Sequence, residues 1–418
     1  MEKYNSIIIG SGISGLFYAN QLDNDDYLIL EKENEPGGLC RTIKKHGYIW
    51  DYAGHFFHFC NQTISDALND AFVPSQTITV KKNTKIYYNG DYVDYPFQSH
   101  IYQLNKEEFI ECLTDLYFTR SEEIDATFKE MVIGRYGKAI SNKFLIPYNE
   151  KLYACDLNDL DKNAMGRFFP EADFEDVMKV MNGAAQHTYN DSFMYPKGGA
   201  VSVIEFLMKK IMPNRICFNS EVVCIDMFNH ILEVENGKKL LYDNLISTIP
   251  LNMLKGILKG NSSDIALSWN KVLVFNIGFD RETIDHSVHW IYYPDRMYNF
   301  YRVGFYNNIL NETKMSIYVE IGFSKDARID IEQQFDMTIK NLKKCGLITN
   351  HRVMAWNSIV IDPAYVHISS DKNNGINDYL KELEENRIFC IGRYGRWTYC
   401  SMEDCCKQAL ERAVLMNE

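Results

Sequence analysis

The isoleucines Ile7, Ile8 and Ile9 form an apolar run without alternation, which predicts a strand buried on both faces. Glycines at positions 10, 12 and 15 follow, and then Leu16, Phe17, Ala19 and Leu22 at helical spacing. Tyr27 to Leu30 read as a second buried strand. The stretch "TKIYYNGDYVDYPF" predicts a hairpin turning at Asn89-Gly90. From Asn105, which forms a capping-box pair with Glu108, the period turns helical and stays so, with interruptions, to about residue 185. Phe109, Ile110, Leu113 and Leu116 share the helix face expected to be buried. "SFMYPKGGAVSVIEFLMKKI" then gives a short strand, a Gly198-Gly199 turn and a helix, and two strand-like runs follow it. From 271 to about 323 the pattern alternates, with Met315, Ile317, Val319, Ile321 and Phe323 on one face and Ser316, Tyr318 and Glu320 on the other. That alternation predicts an antiparallel sheet covered on one side. "NRIFCIGRYGRWTYCSMEDCCKQALERAVLM" closes the chain with a strand, a Gly-Arg loop and a helix.

The order of strand, glycine turn and helix at residues 6 to 22 is what a dinucleotide site demands. Gly10 allows the tight turn, Gly12 lets backbone approach a pyrophosphate, and Gly15 lets helix and strand pack closely. Glu31, at the end of the second strand, falls at the offset of the carboxylate that accepts from a ribose hydroxyl. In "PGGLCRT", Gly37 and Gly38 supply a second backbone approach and Arg41 a cation. This glycine pair followed by arginine resembles the extended fingerprint of FAD-binding oxidases and mutases, so the expected nucleotide is FAD.

The changes of period divide the chain. Residues 1–85, 189–255 and 385–418 are read as three pieces of one FAD-binding domain, 100–188 as a helical lobe, and 265–370 with 86–99 as a substrate domain. The expected class is α/β: a discontinuous Rossmann-like FAD-binding domain with an inserted helical lobe and an antiparallel β-sheet substrate domain.

Composition narrows the partners. The 418 residues, 46% of them hydrophobic, suffice for two or three lobes. A net charge of −12 argues against a nucleic-acid or anionic-membrane surface, so an anionic ligand must be held by a few local cations. The eleven cysteines include no CxxC pair and are scattered among apolar residues, as reduced core thiols are, so no metal is expected. With neither a leader pattern nor a bilayer-length apolar stretch, the expected location is the cytoplasm.

The blocks "GGLCRT", "DYAGHFFHF", "YPFQSHIYQL", "FLIPYNEKLYA", "FMYPKGG", "FYRVGFYNN" and "GRYGRWTYCSMEDCCKQAL" resemble the UDP-galactopyranose mutases, in that family's order and along essentially the whole chain. The resemblance implies an isomerase that interconverts pyranose and furanose forms of a nucleotide-diphosphate sugar for glycan synthesis. It implies reduced FAD acting through N5 as a nucleophile that forms a covalent sugar adduct, with NAD(P)H as a possible external reductant. A homodimer is left open.

Site residues follow from the same blocks. Gly54 and His55 match the loop beside the flavin ring, and Ser401 with Asp404 can cap the last helix so that amides near Met402 and Glu403 face the flavin. Ser14, Val222, Gly392 and Arg393 complete the cofactor set, with Arg393 expected on the FAD pyrophosphate. Arg302 shares a strand face with Phe300 and Gly304, and a guanidinium among aromatics needs an anion: the substrate diphosphate, or else Glu320 on a neighbouring strand. Tyr365 and Tyr399 match tyrosines that donate to the same phosphates, and Tyr148 and Asn149 stand in a mutase-type block. With Arg302 and His55 as catalytic candidates, one departure stands out. The family's second substrate arginine is replaced by Ile146 or Glu150, leaving Arg167, Lys197, Arg296 or Lys143 to compensate. The rival readings are a FAD oxidoreductase of the amine-oxidase or desaturase type and a non-catalytic flavoprotein.

Overall fold

The computed structural model describes residues 1–119, 127–170, 172–183, 191–260 and 265–418, with backbone alone at 370–374. The expected boundary at 188/189 lies outside the described residues. Strand Glu2–Ile9 is flanked in parallel by Tyr27–Leu30 and Lys239–Ser247, and Ile388–Cys390 adds to the latter, also in parallel. These belong to an eight-stranded sheet, which therefore draws on both ends of the chain and its middle. The reason for the unbroken apolar run is visible here: Ile8 packs into one core with Phe17 and Ala409, while Ile7 and Ile9 pack into another with Leu254 and Leu380.

A seven-stranded sheet stands opposite, in the order Val353–Ile361, Asn270–Phe279, Ser316–Ser324, Arg302–Phe305, Trp290–Tyr292, Thr84–Tyr88 and Asp91–Asp94. Its pairings are antiparallel except that Trp290–Tyr292 runs parallel to Thr84–Tyr88, a hairpin arriving from an earlier part of the chain. That hairpin turns at Asn89 and Gly90, whose φ values of 52° and 94° are those of the tight turn predicted.

The sheet is not covered on one side only. Ser316, Tyr318 and Glu320 are as buried as Ile317 and Val319. The apolar face packs under helix Ile331–Lys344. The polar face is closed by the segment 48–56, where Trp50 Nε1 donates to Ser316 Oγ at 2.8 Å, and by helix Ile146–Tyr153. Polar residues tolerate burial there because they find partners or line a cavity.

In the helical lobe, Asn105 caps helix Lys106–Phe118 by accepting from Glu108 N at 3.0 Å. Most of the expected face turns inward, with Leu116 buried and Phe109 and Leu113 packed against the core; Cys112 is buried beside them, while Ile110 is 51% exposed. The rotation is fixed by Asp115, whose Oδ2 accepts from Ala139 N at 2.7 Å where the next helix, Phe128–Ile140, breaks at Gly137. A π-turn at 141–145 then leads into helix Ile146–Tyr153, which turns Tyr148, Asn149 and Leu152 toward the interior cavity. No described helix is long and apolar enough to cross a membrane.

Candidate active site

A cavity of about 1580 Å³ runs between the two sheets and under the helical lobe. At one end is the glycine turn. Gly10 has φ +98°, and a Cβ there would lie 2.4 Å from Thr248 Oγ1; a Cβ on Gly15 would lie 2.2 Å from the Gly10 carbonyl. Gly15 accordingly packs helix Ile13–Ala19 on its strand and does not line the cavity. A Cβ on Gly12 would meet no atom within 4 Å, and no side chain caps the helix that begins there. Glu31 is buried, accepting from Ser11 N at 2.8 Å, Ser11 Oγ at 2.6 Å and Glu33 N at 3.0 Å. A carboxylate has about four acceptor positions, so roughly one is left toward the cavity it lines. Arg41 donates to the Gly38 carbonyl at 2.9 Å and lies 4.9 Å over the Tyr52 ring. Ser14, Gly38, Val222 and Gly392 also line this end; a Cβ on Gly392 would strike Ser14 Oγ at 2.5 Å.

Midway, Gly54 brings its loop against the second sheet so closely that a Cβ would sit 2.6 Å from the Tyr318 hydroxyl. His55 Nδ1 faces the Ala53 carbonyl at 3.2 Å, which assigns the proton to Nδ1 in the neutral ring. Burial pushes its pKa down to about 4, so the imidazole is neutral near pH 7. The last helix, Met402–Asn417, opens with a full capping box: Ser401 Oγ accepts from Asp404 N at 3.1 Å and Asp404 Oδ2 accepts from Ser401 N at 2.8 Å. Asp404 is also held by Arg167 at 2.7 Å. Glu403 accepts from Cys60 N and Asn61 N at 2.5 and 2.6 Å. Ser401 and Met402 both line the cavity.

The far end is aromatic. Arg302 is bound to Glu320 by two hydrogen bonds, Nε to Oε2 at 2.6 Å and Nη2 to Oε1 at 2.7 Å. The alternative partner is thus the one present, because the two residues are directly paired across adjacent strands. Arg393 lies over the rings of Tyr399, Tyr365 and Tyr394 at 4.6, 5.2 and 5.8 Å and donates to the Cys400 carbonyl at 3.2 Å, while its Nε is buried without a partner. No carboxylate pairs with it among the described residues. Burial holds the Tyr365 and Tyr148 hydroxyls well above the ordinary phenol range, so both stay protonated donors. Asn149 donates to the Leu145 carbonyl at 2.7 Å and leaves Oδ1 buried and unpartnered.

Ile146 and Glu150 do not line this cavity. Glu150 pairs with Arg296 outside it, Lys143 pairs with Glu111 at 2.8 Å, and Lys197 donates to the Ser75 carbonyl at 3.1 Å. Of the four compensating cations only Arg167 reaches the cavity. Lys82, Arg135 and Lys162 line it as well, and sequence reasoning passed over them because they stand in segments without a motif. Lys82 lies 5.5 Å over Tyr95, and burial lowers its pKa to about 8.

The sequence profile of the family "Flavin containing amine oxidoreductase" matches residues 13–417, nearly the whole chain. The chain belongs to that family. Among related proteins, this flavin-containing amine oxidoreductase family member is 24% identical to the UDP-galactopyranose mutase of Mycoplasma genitalium over 298 residues, 65% of this chain and 67% of the relative. Its fold superposes on a crystal structure of a reduced UDP-galactopyranose mutase with a TM-score of 0.92 at 23% identity, covering 99% of this chain and 94% of the other. The cyclohexylamine oxidase of Brevibacterium oxydans IH-35A gives 0.72 at 12% identity, covering 99% and 98%. The residues present fit the flavin that the family name implies. The open space at Gly12, the uncapped first turn beside it and the remaining acceptor of Glu31 suit a dinucleotide's pyrophosphate and ribose.

Proposed function

We propose that the protein is a FAD-dependent mutase interconverting pyranose and furanose forms of a nucleotide-diphosphate sugar, serving glycan synthesis. The observation that carries this reading is the joining of two chemistries in one cavity: a dinucleotide cradle at one end, and Arg302, Tyr365 and Tyr399 gathered at the other. Its volume of about 1580 Å³ exceeds the roughly 300–1,000 Å³ of an ordinary ligand site, in keeping with a cofactor and a substrate side by side.

Gly10, Gly12, Ser14, Gly38 and Gly392 would admit the FAD backbone, Glu31 its ribose, and Arg41 and Arg393 its charge. Bound and reduced, FAD would supply the nucleophile that displaces the diphosphate from the anomeric carbon. The capped end of the last helix, at Ser401 and Met402, presents backbone amides where negative charge on the cofactor is favoured. Neutral His55 has its Nε2 lone pair free to accept a proton or hydrogen bond. Arg302 and the hydroxyls of Tyr365 and Tyr399 bind the diphosphate, holding the leaving group where it must return. Tyr148 and Asn149 contact the nucleotide, and Arg167 supplies the cation missing at Ile146 and Glu150.

The test is to incubate the anaerobic protein with UDP-galactopyranose, with and without dithionite, and separate the sugar nucleotides chromatographically. Furanose should form only after reduction, without stoichiometric consumption of reductant. Steady peroxide release from amines, with no sugar nucleotide altered, would replace this reading by an amine oxidase.

A further inference from the structure

Cys400 and Cys405 meet with their Sγ atoms 3.7 Å apart. Relative to the Ser401 cap of the last helix, they hold the positions just before the cap and one turn inside it, where an apolar staple normally packs. Here both partners are thiols. Each is more than nine-tenths buried, yet both line the cofactor cavity. Cys406, next in the chain, is buried in the same core but does not line the cavity. Either thiol can donate across the contact; with the Cys400 thiol, the Arg393 N–H and the Ser14 hydroxyl directed at it, Cys405 is held below the usual thiol range. A thiolate-prone sulfur with a second thiol in contact is the arrangement of an attacking and a resolving cysteine.

We propose that Cys400 and Cys405 form a reversible redox pair that a hydroperoxide entering the flavin cavity closes into a disulfide. The Cys405 thiolate attacks one peroxide oxygen and the O–O bond breaks. Cys405 becomes a sulfenic acid, and the departing hydroxide takes a proton to leave as water. Cys400 then attacks the sulfenic sulfur. The S–S bond forms, the S–OH bond breaks, and the hydroxyl leaves with the Cys400 proton as a second water. Two thiols lose two electrons and hydrogen peroxide gains them. The sulfurs must close from 3.7 Å to about 2.05 Å. The flavin that the family implies would, on reoxidation by dioxygen, release peroxide as the oxidant, and both thiols line the cavity proposed to hold it.

The purified holoprotein is treated with one molar equivalent of hydrogen peroxide, unfolded, alkylated with N-ethylmaleimide and digested with trypsin. Residues 397–407 are then released as one peptide holding Cys400, Cys405 and Cys406. The expected result is loss of two of its three alkylatable thiols, with the label retained on Cys406 and all three restored by dithiothreitol. In Cys400→Ser, dimedone should label residue 405 as a persistent sulfenic acid. Three alkyl groups after peroxide, or a disulfide involving Cys406, would overturn the proposal. Because peroxide is added directly, the outcome does not depend on whether the protein turns over a sugar nucleotide.

Discussion

Glu320 grips Arg302 with both carboxylate oxygens from the neighbouring strand, and the pair is closed in beneath the helical lobe. Only 2% of the Glu320 side chain and 21% of the Arg302 side chain remain exposed. An anion entering the cavity therefore meets a guanidinium that is already neutralised, and it must compete with an internal carboxylate.

Glu320→Gln removes that competitor while keeping the shape. Affinity for uridine diphosphate should rise about tenfold, equivalent to roughly 1.4 kcal/mol, in a calorimetric titration. Arg302→Ala instead leaves a buried carboxylate alone, and denaturant unfolding should show a loss of about 3 to 5 kcal/mol. Unchanged diphosphate affinity in Glu320→Gln would mean that the ligand does not meet this guanidinium.

Gly12→Val separates folding from cofactor binding. The backbone at Gly12 has φ −73°, and a Cβ there touches no protein atom within 4 Å, so the thermal midpoint of the flavin-free protein should hardly move. Flavin absorbance per mole of purified protein should fall nearly to zero, since the new side chain would fill the open space proposed for the pyrophosphate. Gly15→Val, aimed at the Gly10 carbonyl, should fail to fold.

Asp51 gives stability a pH dependence. It is fully buried, with Thr42 Oγ1, Tyr195 OH and Ala200 N donating to it, and burial raises its pKa to about 6 from 3.8. The folded state therefore holds this proton more tightly than the unfolded chain. The contribution is fully present below about pH 4 and is lost as pH rises through about 6, a change of roughly 3 kcal/mol. Urea unfolding from pH 4 to 7 should show this decline in the wild type, and Asp51→Asn should remove it.

Gly304→Ala should disturb the site from behind. The added Cβ would lie 2.1 Å from the Tyr318 ring, which is itself pressed against Gly54. We expect a stability loss of about 1 to 3 kcal/mol by thermal unfolding, together with weaker flavin retention, as the ring pushes the 53–55 loop into the cavity.

What the sequence revealed was local. Gly10 to Gly15, Glu31 and the Ser401–Asp404 cap lie within short spans whose chemistry is written in their spacing. Arg302 and Glu320 were both visible as polar positions in alternating strands, but spacing along a chain does not state cross-strand register, so their pairing stayed one of two options. On helix Lys106–Phe118, Phe109, Leu113 and Leu116 turn to the core as their spacing predicts, but Cys112 takes the place expected for Ile110, beside the Asp115 hydrogen bond at the Gly137 break. Lys82, Arg135 and Lys162 reach the cavity from unrelated segments, so no window of sequence could assemble them.

Because Ile388–Cys390 joins the first sheet beside Lys239–Ser247 and leads into the last helix, the cavity takes one wall from a segment far downstream of the glycine turn. A ribosome-bound precursor that already contains the glycine turn still lacks Gly392, Arg393, Ser401 and Met402. Closure of the cavity therefore waits on the segment that carries those four residues.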